Sequence, residues 1–310
     1  GTDTLTGIER LQFADQLVFL TNEAMGAPEI DDTSPTEGQM LTASIGTVQD
    51  GDGTTTSAFS YEWQALDNGN WIPIPGAMGT TFTPTGDQVN QQLRVVVSFI
   101  DDQGNPESVA SDPTSVVGDL YSGTPGNDIF NGTGGDDNAN GIGGADTLNG
   151  NGGNDVLMGH NGADTLNGGA GADELIGGNG ADTYIVDDAL DSVVEQAGQG
   201  SDTVRTTLNS YTLTPNVENL IFEGTGDFSG TGNDLANVIR GGQGDDVLDG
   251  GGGADRLQGL DGNDTYIVDH ELDLTVEAND AGIDTVFASV SHTLRARVEN
   301  LVLTGVADIN

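Results

Sequence analysis

The stretch Gly141-Ile-Gly-Gly-Ala-Asp-Thr-Leu-Asn149 is followed at once by Gly150-Asn-Gly-Gly-Asn-Asp-Val-Leu-Met158. Both nonamers have glycine at positions one and four, aspartate at position six and an apolar residue at position eight. Seven such nonamers run without interruption from Gly123 to Ile185: GTPGNDIFN, GTGGDDNAN, GIGGADTLN, GNGGNDVLM, GHNGADTLN, GGAGADELI and GGNGADTYI. A fixed period of this kind predicts a repeat architecture in which each unit stacks on its neighbours.

A second array begins at Gly232 and contains four nonamers: GNDLANVIR, GGQGDDVLD, GGGGADRLQ and GLDGNDTYI. Its first member departs from the pattern, with Leu235 at position four and Asn237 at position six. A disordered Gly/Asp-rich linker would have a similar composition. The strict period and the apolar eighth position argue against that alternative in the folded, ion-bound state.

The residue types of the repeat suit a cation-binding turn. Glycine permits φ > 0 and a close approach of backbones. A hard cation takes six to eight oxygen ligands from carboxylates and carbonyls. The glycine turn supplies carbonyls and the aspartate supplies charge, while the residues around position eight form a short strand with one inward side chain. Two nonamers then complete one turn of a flattened parallel coil.

This register places alternate nonamers on the same side of the coil, so their sixth residues form ladders. The predicted metal ligands are Asp128, Asp146, Asp164 and Asp182 on one side, Asp137, Asp155 and Asp173 on the other, and the pairs Asn237 with Asp255 and Asp246 with Asp264 in the second array. An ion between same-side neighbours predicts about five ions in the first array and two in the second, one of them weakened by Asn237.

Composition excludes several classes of function. The chain has 310 residues, of which 50 are acidic and 7 are basic, with a formal net charge of −43. Such a polyanion does not bind nucleic acid or an anionic membrane through charge. No apolar run reaches the ~18 residues of a membrane-spanning helix. The chain has no cysteine, and an apolar content of 35% is low for one large core, so divalent cations are expected to contribute to stability.

The first half predicts a different all-β domain over residues 27–118. Turn signals break a Thr-, Val- and Ser-rich sequence every 8–12 residues, and Phe59-Ser-Tyr-Glu-Trp63 and Leu93-Arg-Val-Val-Val-Ser-Phe99 alternate in polarity. This spacing favours an antiparallel β-sandwich. We expect Trp63 in the core of a central strand and Trp71 in core or rim packing rather than in a binding surface. The run Asp50-Gly-Asp-Gly53 favours a solvated turn over a calcium loop.

The expected domains are 1–26, the end of a preceding β unit; 27–118, the sandwich; 119–230, the first array with a β tail; and 231–310, the second array with a truncated tail. The tails recur: Asp182-Thr-Tyr-Ile-Val-Asp187 matches Asp264-Thr-Tyr-Ile-Val-Asp269, and Val194-Glu195 matches Val276-Glu277. We expect these tails to continue the solenoid. Both ends of the chain resemble interrupted units, so the sequence is interpreted as a piece of a longer protein.

The residues offer little for an enzyme. The H-E-x-x-H and G-x-S-x-G motifs of metalloproteases and α/β-hydrolases are absent, and the Gly-rich turns lack the lysine of a phosphate loop. Of the three histidines, His160 is expected to face solvent, His270 follows a tail strand, and His292 stands where the first tail has Tyr211. The many paired carboxylates are better explained as metal ligands than as an acid/base pair. No catalytic residue is predicted in this chain.

The nonamers resemble the G-G-x-G-x-D-x-U-x calcium-binding repeat of RTX proteins, which are secreted by bacteria. The resemblance implies Ca²⁺ as cofactor, an extracellular location and a type I secretion exporter as partner. Trp71-Ile-Pro-Ile-Pro-Gly-Ala77 resembles immunoglobulin-like modules of large secreted bacterial proteins. Gly1-Thr-Asp-Thr-Leu5 and the following residues, together with these modules, resemble the accessory region of haem-peroxidase-like RTX proteins.

These resemblances leave three functions open. The first is a non-catalytic calcium-binding module that folds on secretion into calcium-rich medium. The second is an adhesion or matrix protein in which the sandwich binds a surface or matrix ligand. The third is the accessory region of a secreted haem peroxidase, whose catalytic domain would lie before Gly1.

Overall fold

A computed structural model describes residues 10–12, 17–19, 24–51, 58–277 and 282–305. Every regular element in these ranges is a β-strand, in agreement with the predicted all-β class. The chain divides into two compact units, Gly1–Gly118 and Asp119–Asn310. Of the β unit predicted for residues 1–26, strands β1 (Arg10–Gln12) and β2 (Leu17–Phe19) form an antiparallel pair. Most of the remaining residues of that prediction lie outside the described ranges.

The first unit contains two further antiparallel sheets. Its strands are β3 (Glu29–Ile30), β4 (Leu41–Ser44), β5 (Ser60–Asp67), β6 (Asn70–Pro73), β7 (Thr81–Phe82), β8 (Leu93–Ile100) and β9 (Pro106–Ala110). The strand orders are β3-β4-β7 and β6-β5-β8-β9. The immunoglobulin-like character of residues 27–118 stays a prediction.

The core of the first unit forms around Trp63, which is fully buried on the interior strand β5. Its indole Nε1 donates a hydrogen bond of 3.1 Å to the backbone oxygen of Gly79, so the polar atom of this buried ring has a partner. The predicted core position of Trp63 is confirmed. Trp71 is half-buried on β6, and the Arg94 guanidinium carbon lies 4.5 Å from its ring centroid. This rim packing agrees with the prediction for Trp71.

The second unit is a parallel β-solenoid. Its strands are β10 (Leu120–Ser122), β11 (Ile129–Asn131), β12 (Asn138–Asn140), β13 (Thr147–Gly152), β14 (Val156–Asn161), β15 (Thr165–Ala170), β16 (Glu174–Asn179), β17 (Thr183–Val186), β18 (Ser192–Val194), β19 (Thr203–Thr206), β20 (Ser210–Thr212), β21 (Asn219–Phe222), β22 (Ser229–Thr231), β23 (Val238–Arg240), β24 (Val247–Asp249), β25 (Arg256–Gln258), β26 (Thr265–Val268), β27 (Leu274–Val276), β28 (Thr285–Ala288) and β29 (Asn300–Leu303).

Strand pairing confirms two nonamers per turn. Leu148 pairs with Leu166 in one sheet, and Leu157 pairs with Leu175 in another, so each partner lies eighteen residues away. The sheet orders are β10-β12-β14-β16-β18, β11-β13-β15-β17-β19-β21-β23-β25-β27 and β20-β22-β24-β26-β28-β29. The nine-stranded sheet runs from the first array through β19 and β21 into the second. The tails therefore continue the solenoid, as predicted.

A single narrow hydrophobic core follows the solenoid axis. Every nonamer contributes its eighth residue, and all of these side chains are buried: Phe130, Ala139, Leu148, Leu157, Leu166, Leu175, Tyr184, Ile239, Leu248, Leu257 and Tyr266. The segment between the arrays adds Phe222 and Phe228, whose rings stack with centroids 4.5 Å apart. Because each strand contributes so few apolar side chains, hydrophobic burial per residue is small, and the polar turns must carry part of the stability.

Candidate metal centres

The position-six carboxylates link successive turns of the solenoid. The backbone N–H of Asp137 donates to Oδ1 of Asp155 at 2.8 Å, and the N–H of Asp155 donates to Oδ1 of Asp173 at 2.7 Å. The same contact joins Asp128 to Asp146, Asp146 to Asp164, Asp164 to Asp182, Asn237 to Asp255, and Asp246 to Asp264. All seven predicted same-side pairs are therefore in register.

Seven of the eleven predicted ligands keep one buried oxygen without a hydrogen-bond partner among the described residues. This atom is Oδ2 of Asp146, Asp155, Asp164, Asp173, Asp182, Asp255 and Asp264. Each of these residues is only 1% exposed. A buried charged oxygen without a partner is strongly destabilising, so each open oxygen is a candidate metal ligand.

The other four predicted ligands are hydrogen-bonded to the turn that precedes them. Oδ2 of Asp128 accepts from the backbone N–H of Thr124 at 2.6 Å, and Oδ2 of Asp246 accepts from Gly242 at 2.7 Å. Asp137 and Asn237 accept from the corresponding N–H groups of Thr133 and Asn233. Each of these four residues belongs to the first nonamer on its side of an array. The first turns therefore differ from the later turns, in which Oδ2 has no hydrogen-bond partner among the described residues.

The backbone conformation of position two accounts for this separation. Position two has a positive φ in all seven turns with an open oxygen: Ile142, Asn151, His160, Gly169, Gly178, Gly251 and Leu260, with φ between 72° and 93°. In the four first turns it has no positive φ, and its N–H donates to the carboxylate or amide of its own nonamer. A left-handed backbone at position two therefore occurs in every turn whose Oδ2 has no hydrogen-bond partner among the described residues.

The first glycine of the nonamer makes room for the open oxygen. A methyl group at Gly150 would overlap Oδ2 of Asp155 and would lie 2.7 Å from the backbone oxygen of Gly168. The carboxylate oxygen of Asp155 and the carbonyl oxygen of Gly168, which belongs to the next turn on the same side, thus both lie close to the Cα of Gly150. Such a set of oxygen donors is what Ca²⁺ prefers.

The charge of the turns also fits a cation. The first array, from Gly123 to Ile185, contains no Lys or Arg. Burial, and then the neighbouring carboxylates Asp137 and Asp173, raises the pKa of Asp155 to about 7. Burial likewise raises the pKa of Asp182 and of Asp264 to about 7. A bound divalent cation would offset this repulsion and keep the carboxylates ionised at neutral pH.

Comparison with known proteins agrees with this geometry. A family profile described as the RTX calcium-binding nonapeptide repeat, in four copies, matches residues 122–157, 149–184 and 231–266. The two nonapeptide arrays are RTX calcium-binding repeats. The cofactor of this repeat family is Ca²⁺.

One curated relative matches a short part of the chain. The chain is 42% identical over 60 residues to an endo-1,3-1,4-beta-glycanase, ExsH, of Rhizobium meliloti. The match covers 19% of this chain and 12% of the length of that relative.

Within the described ranges there is no helix with the length and hydropathy of a membrane span.

The RTX ladders extend beyond the nonamers. Asp173 donates its N–H to Asp191, Asp182 donates to Asp202, and Asp202 donates to Glu218. In the second array, Asp273, Asp284 and Glu299 have the same role as acceptors. The nonamer pattern does not predict these residues, because their spacing departs from eighteen or because they lie outside the nonamers. The Gly-x-Asp-Thr motif, present both at Gly180 and at Gly200, was a signal that could have identified Asp202.

An acidic group also lies in the first unit, outside the RTX repeats. Asp50, Asp101 and Glu107 each place a carboxylate oxygen within 4.8 Å of the others. Asp101 accepts hydrogen bonds from the backbone N–H groups of Gln103 at 2.9 Å and Asn105 at 2.7 Å, which explains its carboxylate as a turn-stabilising group. The residues Asp52 and Gly53 of the predicted solvated turn lie outside the described ranges.

The three histidines lie in different environments. His160 is exposed at position two of its RTX turn, as expected, and His270 is exposed after β26. His292 is 8% exposed, and burial lowers the pKa of its imidazole.

Proposed function

We propose that this chain is a calcium-dependent folding module of a larger, secreted bacterial protein. In calcium-poor cytosol the acidic repeats remain unfolded and pass through a type I secretion exporter. In calcium-rich medium outside the cell, Ca²⁺ fills the turns and the solenoid folds. The module itself performs no catalysis. Extracellular calcium modules bind with dissociation constants of about 10⁻⁴–10⁻³ M, a range that suits such a switch.

One observation carries the proposal: the number of open carboxylate oxygens equals the number of predicted ions. The ladders contain seven same-side pairs of position-six residues. The second member of every pair has an open, buried Oδ2. The first member of each pair is of one of two kinds. It either has an open Oδ2 of its own, or it is one of the four residues whose side chain accepts a hydrogen bond from its own turn. We therefore propose five ions in the first array and two in the second.

The energetics explain why folding would require the ion. A buried carboxylate without a counter-charge is expensive, and the cost is repeated at every turn of the ladder. Among the described residues, one salt bridge is present, between Arg205 and Glu223. Both side chains are partly exposed and lie outside the nonamers, so this pair does not neutralise the ladder carboxylates. The narrow core cannot offset this repulsion alone, so the ion-free repeats are expected to resemble other polar, highly charged disordered segments.

The domain boundaries remain part of the proposal. Residues 27–118 are proposed as an immunoglobulin-like sandwich because they form antiparallel sheets of three and four strands around Trp63. Residues 119–230 and 231–310 are proposed as two repeat arrays with their tails. Their common nine-stranded sheet suggests that they fold as one body when calcium is present.

Circular dichroism of the full chain tests the proposal. Adding millimolar Ca²⁺ to chelator-treated protein should increase the β signal cooperatively. Mg²⁺ should substitute poorly, because it prefers a smaller octahedral shell and dehydrates reluctantly. An identical spectrum in excess chelator and in calcium would refute calcium-dependent folding.

A further inference from the structure

A cluster of three carboxylates lies at the end of each RTX array, and two of its three residues lie outside the nonapeptide motif. After the first array, Asp182, Glu195 and Asp202 each place one carboxylate oxygen within 4.8 Å of the others. All three residues are buried, with exposures of 1%, 8% and 1%. The hydroxyl of Tyr184 donates a hydrogen bond to Oε1 of Glu195. Only one member of the cluster, Asp182, occupies a nonamer position.

The same cluster recurs after the second array. Asp264, Glu277 and Asp284 lie within the same 4.8 Å limit, and the hydroxyl of Tyr266 donates to Oε1 of Glu277. The intervals between the three carboxylates are 13 and 7 residues in both copies. The glutamate stands eighteen residues after the first glycine of the last nonamer, where a further nonamer would have glycine. Glutamate therefore replaces this glycine at the end of both arrays.

Open oxygens point into the first cluster. Oδ2 of Asp182 and Oε2 of Glu195 are buried and have no hydrogen-bond partner in the described ranges. A methyl group at Gly177 would lie 2.5 Å from Oδ2 of Asp182 and 2.6 Å from Oε1 of Glu195, and it would overlap the Tyr184 hydroxyl. Oδ2 of Asp182, Oε1 of Glu195 and the Tyr184 hydroxyl thus lie around one point beside the Cα of Gly177. In the second copy, Oδ2 of Asp264 is likewise buried and open.

We propose that each cluster binds one Ca²⁺ ion through three side-chain carboxylates and a tyrosine hydroxyl. These two ions are the last of their ladders, so the inference rests on the proposed function, and it adds a glutamate, a second aspartate and a tyrosine hydroxyl to the open Oδ2 of Asp182 or Asp264. Three carboxylates around one ion supply more negative charge than the position-six ligands of a nonapeptide turn. Because calcium affinity rises with ligand charge and rigidity, these two sites fill at lower calcium than the other ladder sites do.

The two copies differ at one neighbouring residue, which ranks their affinities. Nδ2 of Asn216 donates to the backbone oxygen of Glu195 at 3.0 Å. The corresponding residue of the second copy is Arg297, whose guanidinium donates to the backbone oxygen of Glu277 at 3.4 Å. A positive charge beside a cation site weakens cation binding. The first cluster should therefore bind Ca²⁺ more tightly than the second.

Native mass spectrometry of the full chain in calcium tests the inference by counting bound ions. Glu195→Gln removes one charge but keeps the shape and an acceptor for Tyr184, and it should reduce the count by one. Glu277→Gln should do the same in the second copy. The matched control is Glu174→Gln, an exposed glutamate of the same solenoid, which should leave the count unchanged. Equal counts in wild type, Glu195→Gln and Glu277→Gln would overturn the inference.

Anomalous diffraction from wild-type crystals soaked in Tb³⁺ gives a second test that does not depend on how any variant folds. We expect a peak among Asp182, Glu195 and Asp202 and a weaker one in the second copy. Peaks in the nonapeptide ladders without any peak in either cluster would overturn this inference alone. The absence of peaks from both kinds of site would contradict the proposed function as well.

Discussion

The N–H of Asp137 donates a hydrogen bond of 2.8 Å to Oδ1 of Asp155, which lies one full solenoid turn later. The other oxygen of the same carboxylate, Oδ2, is buried without a hydrogen-bond partner in the described ranges. A single side chain therefore joins two turns through one oxygen and leaves the second oxygen for a cation. Repetition of this arrangement along the ladders couples ion binding to the stacking of turns.

Asp155→Asn separates the two roles of this side chain. The amide oxygen can still accept from Asp137, but the negative charge at the ion is lost. We expect the calcium concentration at the folding midpoint to rise about tenfold, which corresponds to ~1.4 kcal/mol, while the fold in saturating calcium persists. Calcium titration by circular dichroism measures the midpoint. Glu174→Gln is the control for loss of one charge, and an equal shift in both variants would contradict the assignment of Asp155 as a ligand.

Leu157→Ala tests the core two residues further along the chain. Leu157 is fully buried, and its truncation should cost about 2–5 kcal/mol through lost burial and cavity formation. Because no ligand is removed, urea unfolding should show this loss even in saturating calcium. Ala139, buried at the equivalent position one turn earlier, indicates that the solenoid tolerates one small residue. If saturating calcium restored wild-type stability, position eight would not be a core position.

Gly150→Ala tests the space reserved for the open oxygen. Its methyl group would overlap Oδ2 of Asp155, so either the carboxylate or the turn must move. We expect a loss of about 1–3 kcal/mol and a higher calcium midpoint. Gly226→Ala is the matched control, because a methyl group there meets nothing within 4 Å, and its effect should stay within about 0.5 kcal/mol. Equal stability of the two variants would show that the first glycine is not needed for the site.

The pH dependence without calcium follows from the raised pKa of the ladder carboxylates. Burial raises the pKa of Asp155 to about 7 in the folded state, against about 3.9 for an unfolded aspartate. Between these values the folded state binds more protons than the unfolded state, so its stability falls as the pH rises from about 4 to about 7. In chelator, acidification from pH 7.5 to pH 5 should therefore restore part of the β signal.

In the presence of calcium, the same protonation competes with the ion. The calcium midpoint should accordingly rise as the pH falls from 7 to 5. Circular dichroism at both pH values, with and without chelator, checks the two directions. Loss of β signal on acidification in chelator would contradict the raised pKa values of the buried carboxylates.

The sequence predicted the regular part of the solenoid because its period is directly visible. Asp155 and Leu157 illustrate this: a position-six carboxylate and a position-eight apolar residue occupy the ladder and the core, as their places in the nonamer require. The pairing of Leu157 with Leu175 also follows from two nonamers per turn. Local pattern and global fold agree throughout this region.

The irregular parts could not be read from the period. Asp202 follows Asp182 by twenty residues instead of eighteen, yet it accepts the same ladder hydrogen bond because the longer loop is accommodated between the turns. Glu195 becomes part of a metal-binding candidate only through the fold, which brings it to Asp182 and Tyr184. The left-handed backbone of Ile142 was equally hidden, since β-branched residues rarely adopt it and only the stacking of turns imposes it.

Amide hydrogen exchange resolved along the chain tests the central claim, that calcium folds the solenoid, most directly. The ladder amides of Asp137, Asp155 and Asp164 donate only to carboxylates whose charge calcium must offset. We predict that peptides from 123–277 and 282–305 exchange rapidly in chelator and become protected cooperatively in calcium. Peptides covering β5 and β8 of the first unit should be protected in both conditions. Strong protection of the ladder amides in excess chelator at neutral pH would contradict the account.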